Sequence, residues 1–86
     1  MAGDAKKVFV QVEAWFSEDG AVHPTCIIWN DGIRYCIQSV LDVRPGVSLL
    51  ANGAGMRYTV RIGSRVTYLF QAGTRWFVEQ KHLTLP

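Results

Sequence analysis

Apolar and polar residues alternate with a period of two along most of this sequence of 86 residues. The alternation is clearest from Lys6 to Phe16 and from Met56 to Ile62. A period of two places successive side chains on opposite faces of a β-strand, whereas a helix would repeat its apolar residues about every 3.6 positions. Because no segment shows a clear helical period, we predict an all-β protein.

Turn residues interrupt the alternation at short intervals. The predicted turns lie at 17–20, 30–32, 44–46, 51–55, 63–64 and 72–74, and the predicted strands at 6–16, 22–30, 33–43, 47–50, 56–62, 65–71 and 75–80. Strands joined by such short turns are typical of an antiparallel meander. We therefore predict six to seven antiparallel strands that close into a small barrel or half-barrel of SH3-like size. A sandwich that a second copy of the chain completes is the alternative.

The segment Asn30-Asp31-Gly32 predicts a hairpin that could form in two registers. A two-residue turn would place Ile27 opposite Cys36, whereas a three-residue loop with Gly32 in the left-handed conformation would place Ile27 opposite Tyr35. The longer loop separates apolar from polar side chains better, so we favour it. It predicts that Cys26 and Cys36 lie directly opposite each other, where an oxidant could bridge them.

Length and composition favour one small folded domain. A chain of 86 residues can bury one compact core, and its 49% apolar and 19% charged residues are not those of a disordered chain. We predict a single β domain over residues 1–86, with an ordered core from about 6 to 80 and a loose tail at 82–86.

The sequence lacks the usual signals for a membrane or for secretion. No apolar stretch reaches the roughly 20 residues of a membrane-spanning helix. The N-terminal residues lack the unbroken apolar region of a secretory signal. We therefore expect a cytoplasmic protein with no membrane partner, whose two cysteines stay reduced.

Charge is distributed unevenly between the two halves of the chain. Residues 1–42 hold three basic and six acidic residues, whereas residues 43–86 hold six basic residues and one acidic residue. Basic side chains neutralise phosphates, and aromatic rings stack on bases. We predict a binding face for single-stranded nucleic acid or an acidic protein surface, formed by Arg57, Arg61, Arg65, Arg75, Tyr68 and Trp76. The alternative is a solvated strand face whose aromatic neighbours belong to the core.

A second hypothesis concerns the first predicted strand. By alternation, Trp15 and Phe9 lie on the same face of this strand as the polar residues Gln11 and Glu13. Exposed aromatic side chains often mark interaction sites, and a long open strand can pair with its own copy. Trp15 and Phe9 therefore predict an interface for a possible homodimer with two-fold symmetry.

Motifs for catalysis or cofactor binding are weak in this sequence. The glycines of 51–55 precede a predicted strand, whereas phosphate-binding loops lead into a helix. His23, Cys26 and Cys36 could supply only three metal ligands, one fewer than structural zinc sites use. We predict no catalytic residue, no metal and no cofactor, and we expect a protein that is not an enzyme.

Several short motifs together resemble a known family. They are Pro24, Ile27-x-Trp29-x-Asp31-Gly32, Tyr35-x-Ile37, Gly55-x-Arg57-Tyr58, Tyr68-Leu69-Phe70 and Arg75-Trp76-Phe77-Val78. This pattern, over residues 8–78, resembles a family of small uncharacterised all-β bacterial proteins known mainly from structural genomics. The resemblance implies a single small β domain. It assigns no functional residue, because that family has no assigned activity.

Overall fold

The structure, a computed structural model, describes residues 6–46 and 55–80, and these residues form seven antiparallel strands. The strands are β1 (Lys6–Phe16), β2 (Val22–Ile28), β3 (Arg34–Cys36), β4 (Ser39–Pro45), β5 (Met56–Ile62), β6 (Arg65–Ala72) and β7 (Arg75–Gln80). The predicted all-β class is therefore confirmed. Within these two ranges there is no helix long and apolar enough to cross a membrane.

The order of the strands explains why the sheet curls. The order is β3-β2-β1-β7-β6-β5-β4, so the two edge strands, β3 and β4, are consecutive in the sequence. In a flat sheet these edges would lie about 29 Å apart, but the two residues that join them span about 11 Å at most. At this junction the Ile37 backbone N–H donates to Thr25 and the Gln38 N–H donates to Arg61, at 3.0 and 2.8 Å. Ile37 thus bonds to β2, and the next residue bonds to β5. This brings the two edges of the sheet together, and the sheet forms the predicted half-barrel.

Strand β1 has a different partner strand along each half of its length. Residues 6–10 of β1 pair with β7, and residues 11–16 pair with β2. Among the described residues, the segment from Val12 to Phe16 therefore has no strand partner on its β7 side. The distal half of the β1–β2 hairpin extends beyond the end of β7.

The hairpin between β2 and β3 adopts the three-residue loop. The Trp29 backbone N–H donates to the Ile33 carbonyl at 2.9 Å, and Gly32 has a φ of +88°. Only glycine adopts such a positive φ at little cost, which explains its place in the loop. In this register Cys26 lies opposite Cys36. The predicted loop and the predicted cysteine pair are both confirmed.

The hydrophobic core lies on the inner side of the curled sheet. Its buried members are Ile27, Tyr58, Val60, Leu69 and Val78, and Val8, Val10 and Val12 pack against it. The alternation predicts that Phe16 lies on the buried face of β1 with Val8, Val10 and Val12, but this prediction is wrong, since Phe16 is 70% exposed. Phe16 lies beyond the end of β7, where no neighbouring strand of the described chain covers that side of β1.

The predicted third strand is interrupted. The sequence predicts one strand to about Val43, but the structure divides it into β3 and β4, because the chain changes partner strand at 37–38. A bulge at Leu41 then shifts the register of β4 against β5. A second bulge lies at Thr25, next to Pro24, whose backbone has no N–H to donate to a ladder. The predicted strand at 47–50, most of the predicted loop at 51–55 and the predicted tail at 82–86 lie outside the described residues.

Candidate nucleic-acid interface

Four side chains form a row across the outer face of the sheet. Phe9 on β1 lies opposite Phe77 on β7, Phe77 lies opposite Phe70 on β6, and Phe70 lies opposite Arg57 on β5. The residues that follow or precede them in each strand face the core, so strand alternation places these four on the outside. We call Phe9, Phe77, Phe70 and Arg57 the outer row.

The rings of the outer row pack closely. The centroids of Phe70 and Phe77 are 5.1 Å apart with nearly parallel planes, and Phe9 meets Phe77 edge-on at 5.7 Å. Phe77 is only 1% exposed and Phe70 only 7% exposed, although both lie on the outer face. The sheet therefore has a second aromatic layer outside its core.

Cationic side chains cover this layer. The guanidinium carbon of Arg75 lies 3.6 Å from the ring centroid of Phe9, and that of Arg57 lies 4.6 Å from the ring of Tyr68. The Lys7 ammonium lies 5.4 Å from the Phe9 ring. Such cation–π contacts hold the charges in place on the rings. Phe9 and Tyr68 nevertheless remain 41% and 48% exposed.

Three arginines of this face have no acidic partner among the described residues. The ion pairs Glu13–Arg34 and Asp42–Arg44 do not involve Arg57, Arg61 or Arg75, and no acidic side chain that the structure describes pairs with these three. The Nε of Arg57 is buried and has no hydrogen-bond partner in the described chain. No carboxylate of the described chain therefore competes with an anion for the exposed nitrogens of these guanidinium groups.

The Glu13–Arg34 pair shows the contrasting, neutralised arrangement. Arg34 Nη1 donates to Glu13 Oε2 at 2.8 Å, and the second nitrogen donates to the other oxygen. This hydrogen bond lowers the pKa of the Glu13 carboxyl, and the same contact raises the pKa of Arg34. Such a bidentate pair satisfies the carboxylate, so Arg34 is less available to another anion.

The predicted binding face is divided between the two sides of the sheet. Arg57, Arg61, Arg75 and Tyr68 belong to the outward sets of their strands. Arg65 lies opposite Ile62, a residue that packs against the core, so alternation places it in the inward set. Trp76 also packs against the core, with its ring centroid 5.2 Å from that of Tyr58. The structure therefore separates Arg65 and Trp76 from the other predicted residues.

The two residues of the predicted interface are also separated. Trp15 is 54% exposed, and its ring stacks on His23 with the centroids 3.9 Å apart. Phe9 belongs to the outer row, six positions earlier on β1, which corresponds to about 20 Å along a strand. Phe9 and Trp15 therefore do not form one patch.

Sequence reasoning did not include Lys7, Phe70 and Phe77 in the binding face. The alternation indicates which face these residues occupy. Lys7 lies on the same face of its strand as Phe9, and Phe70 lies on the same face as Tyr68. That these sets meet on one surface depends on the pairing of β1 with β7, which joins residues about 70 positions apart.

A mostly apolar cleft of about 420 Å³ lies on the inner side, between the β1–β2 turn and β4. Val22, Val40, Val43 and Met56 contribute to its walls. The Tyr58 hydroxyl at this cleft donates to Gln71 Oε1 at 3.1 Å, and burial raises the pKa of this phenol. Unlike the Arg57 Nε of the outer face, the Tyr58 hydroxyl at this cleft has a hydrogen-bond partner within the described chain.

In the described ranges, no three His, Cys, Asp or Glu side chains lie close enough together to hold a metal ion.

Comparison with known proteins adds no relative. No family model matches the sequence, and no curated protein or solved structure matches it. The resemblance to small all-β bacterial proteins stays a prediction, and the function of this chain is inferred from its own geometry.

Proposed function

We propose that the protein is a non-catalytic module that binds single-stranded nucleic acid on the outer face of its sheet. The observation that carries the proposal is a group of three arginines, Arg57, Arg61 and Arg75, that lie among the exposed rings of Phe9 and Tyr68 and have no acidic partner in the part of the chain that the structure describes. Small β-sheet proteins bind single strands by this combination of positive charge and aromatic surface.

The two components of the face have different roles. The guanidinium groups neutralise backbone phosphates and form charge-assisted hydrogen bonds with them. The rings of Tyr68 and Phe9, and the guanidinium plane of Arg75 on Phe9, offer flat surfaces on which bases stack. A single strand exposes both its phosphates and its bases, whereas a duplex hides the faces of its bases. The arrangement therefore favours single strands and reads little sequence.

The first prediction is binding that depends on salt. We expect a fluorescently labelled strand of about 12 nucleotides to bind the full chain, as DNA or as RNA. Three phosphate contacts predict that affinity falls about 15- to 20-fold when salt rises from about 50 to about 200 mM. Fluorescence anisotropy at several salt concentrations measures this slope.

The control ligands are a duplex of the same sequence and a labelled oligo-aspartate peptide of similar charge. The proposal requires that the single strand binds more tightly than either. Absence of binding at the lowest salt would exclude it. Stronger binding of the acidic peptide would favour an acidic protein surface as the partner.

A second candidate function is assembly into a homodimer through β1. Val12 to Phe16 lack a neighbour on one edge among the described residues, and Trp15 and Phe16 are 54% and 70% exposed. Two such edges can pair in antiparallel orientation about a two-fold axis, and this would bury both aromatic side chains. The observation that favours the homodimer is the free edge of β1, and the outer row does not contribute to it.

We expect this dimer to appear as concentration-dependent sedimentation at micromolar protein, and to depend little on salt because its contacts are apolar and backbone-mediated. Trp15→Lys should shift the protein to monomer. Val66→Lys is the matched control, because Val66 is 51% exposed but lies on β6, away from this edge. A wild-type protein that sediments as a monomer over the whole concentration range rules the dimer out.

A further inference from the structure

Two free cysteines face each other across neighbouring strands. Cys26 on β2 lies directly opposite Cys36 on β3. Neither thiol belongs to the outer row or to the arginines of the proposed nucleic-acid interface. Their chemistry therefore goes beyond the proposed function.

Backbone hydrogen bonds define the type of site that the cysteines occupy. The Trp29 N–H donates to the Ile33 carbonyl, and the Ile37 N–H donates to the Thr25 carbonyl. Hydrogen-bonded and non-hydrogen-bonded pairs alternate along an antiparallel ladder. Trp29/Ile33 and Thr25/Ile37 are hydrogen-bonded pairs. Because the two types alternate, the pair Ile27/Tyr35, midway between them, is also hydrogen-bonded. The cysteines then occupy a non-hydrogen-bonded pair.

This type of pair suits a disulfide. Opposite residues in it have Cα atoms about 4.5 Å apart, with their side chains closer than in the hydrogen-bonded type. Disulfides form between Cα atoms about 4.4 to 6.8 Å apart. The register therefore lets the two sulfur atoms join without a shift of either strand.

The two thiols differ in access to solvent. Cys26 is 3% exposed, whereas Cys36 is exposed. Glu13 lies opposite Cys26, and its ion pair with Arg34 crosses β2 on the same face as the Cys26 side chain. Burial raises the pKa of the Cys26 thiol and so disfavours its thiolate. A small reagent in solution therefore meets Cys36 first.

We propose that Cys26 and Cys36 form a thiol–disulfide exchange site for small disulfides of the glutathione type. The Cys36 thiolate attacks one sulfur of the small disulfide and releases one small thiol, which takes up the proton lost by Cys36. The Cys26 thiolate then attacks the Cys36 sulfur and releases the second small thiol, which takes up the proton of Cys26. Two protein thiols are oxidised to one disulfide, and the small disulfide is reduced to two thiols.

The new bond ties the edge of the sheet to its neighbour. It closes a loop over the hairpin and fixes β3, a strand of only three residues, to β2. A disulfide restricts the unfolded chain, and we expect the melting temperature of an 86-residue protein to rise by about 10 °C.

The test exposes the full chain to oxidised glutathione and follows its intact mass after denaturation. The expected product is a monomer that has lost two hydrogen atoms and carries no glutathione. Reduced glutathione should restore the starting mass and the original melting temperature. A stable glutathione adduct, a covalent dimer or an unreacted chain would each overturn the proposal.

Three variants separate the two cysteines. Cys26→Ser should stop at a glutathione adduct on Cys36, whereas Cys36→Ser should stay unmodified under the same exposure. The double variant Cys26→Ser with Ile28→Cys keeps two thiols but moves one two positions along the strand, opposite Arg34. It should retain the adduct, because the diagonal separation of about 7–8 Å is too long for a disulfide. Thermal melts of the reduced proteins show which variants fold, and Cys36→Ser alters only an exposed side chain.

Discussion

Replacement of Phe77 by alanine is expected to lower the free energy of unfolding by about 3–5 kcal/mol. Phe77 is 1% exposed and lies between Phe9 and Phe70 on the outer face. Its removal leaves a cavity and ends two ring contacts at once. A domain of 86 residues has a total stability of about 4–13 kcal/mol, so the variant should be close to unfolding. Urea denaturation followed by tryptophan fluorescence measures the change.

Phe9→Ala is the control for position in the outer row. Phe9 is 41% exposed, so the same truncation should cost less than half as much. A double-mutant cycle with Phe70→Leu and Phe77→Leu should show a coupling of about 0.5–1.5 kcal/mol from their stacking. If Phe77→Ala costs no more than Phe9→Ala, the outer aromatic layer does not stabilise the sheet.

The burial of Phe77 illustrates what the sequence could not provide. Alternation places Phe77 outside, next to the inward Val78, and an outward residue is ordinarily expected to be solvated. Phe77 is buried because a phenylalanine flanks it on each side. Phe9 lies on β1 and Phe70 lies on β6, the two strands that pair with β7. The pairing of the first strand with the last is a long-range contact, and no local pattern specifies it.

Local patterns nevertheless predicted much of the fold. The bounds of β1 and β5 follow from alternation, and the Gly32 hairpin register follows from the need to segregate apolar side chains. The predicted third strand has an alternating pattern too, but its break at 37–38 depends on sheet closure. A strand that changes partner keeps the same local composition, so the break has no signal in the sequence.

The candidate site was predicted in part. Alternation places Arg57 and Arg61 on one face of β5, and the structure agrees. Charge and nearness in the sequence place Arg65 in the same predicted face, although the two-residue turn pairs it with the inward Ile62. The length of the β5–β6 turn, combined with the alternation of side chains, could have shown that Arg65 lies on the opposite side of the sheet from Arg57 and Arg61. Charge alone does not report the side of a sheet.

Replacement of Arg57, Arg61 and Arg75 together by glutamine is expected to weaken single-strand binding about 100-fold at about 50 mM salt. Each guanidinium that no longer meets a phosphate should reduce the slope of log affinity against log salt by about 0.7, so the triple variant should lose about 2. Anisotropy titrations of wild type and variant over the same salt range measure both quantities.

Arg65→Gln and Arg61→Gln form the matched pair of single variants. Both remove one positive charge near the β5–β6 turn, but only Arg61 belongs to the outward set. We expect Arg61→Gln to reduce the salt slope by about 0.7 and Arg65→Gln to leave it unchanged. Equal losses would mean that net charge, and not this face, attracts the nucleic acid.

Arg75→Lys separates charge from stacking at the position over Phe9. Lysine keeps the positive charge but lacks the planar guanidinium that lies 3.6 Å from the ring centroid. The salt slope should therefore stay near that of wild type, while affinity falls about 5- to 10-fold through the loss of about 1 kcal/mol of stacking. An unchanged affinity would show that Arg75 contributes only its charge. The bases would then stack elsewhere on the face, with the exposed ring of Tyr68 as the remaining platform, and Tyr68→Ala would have the larger effect on affinity.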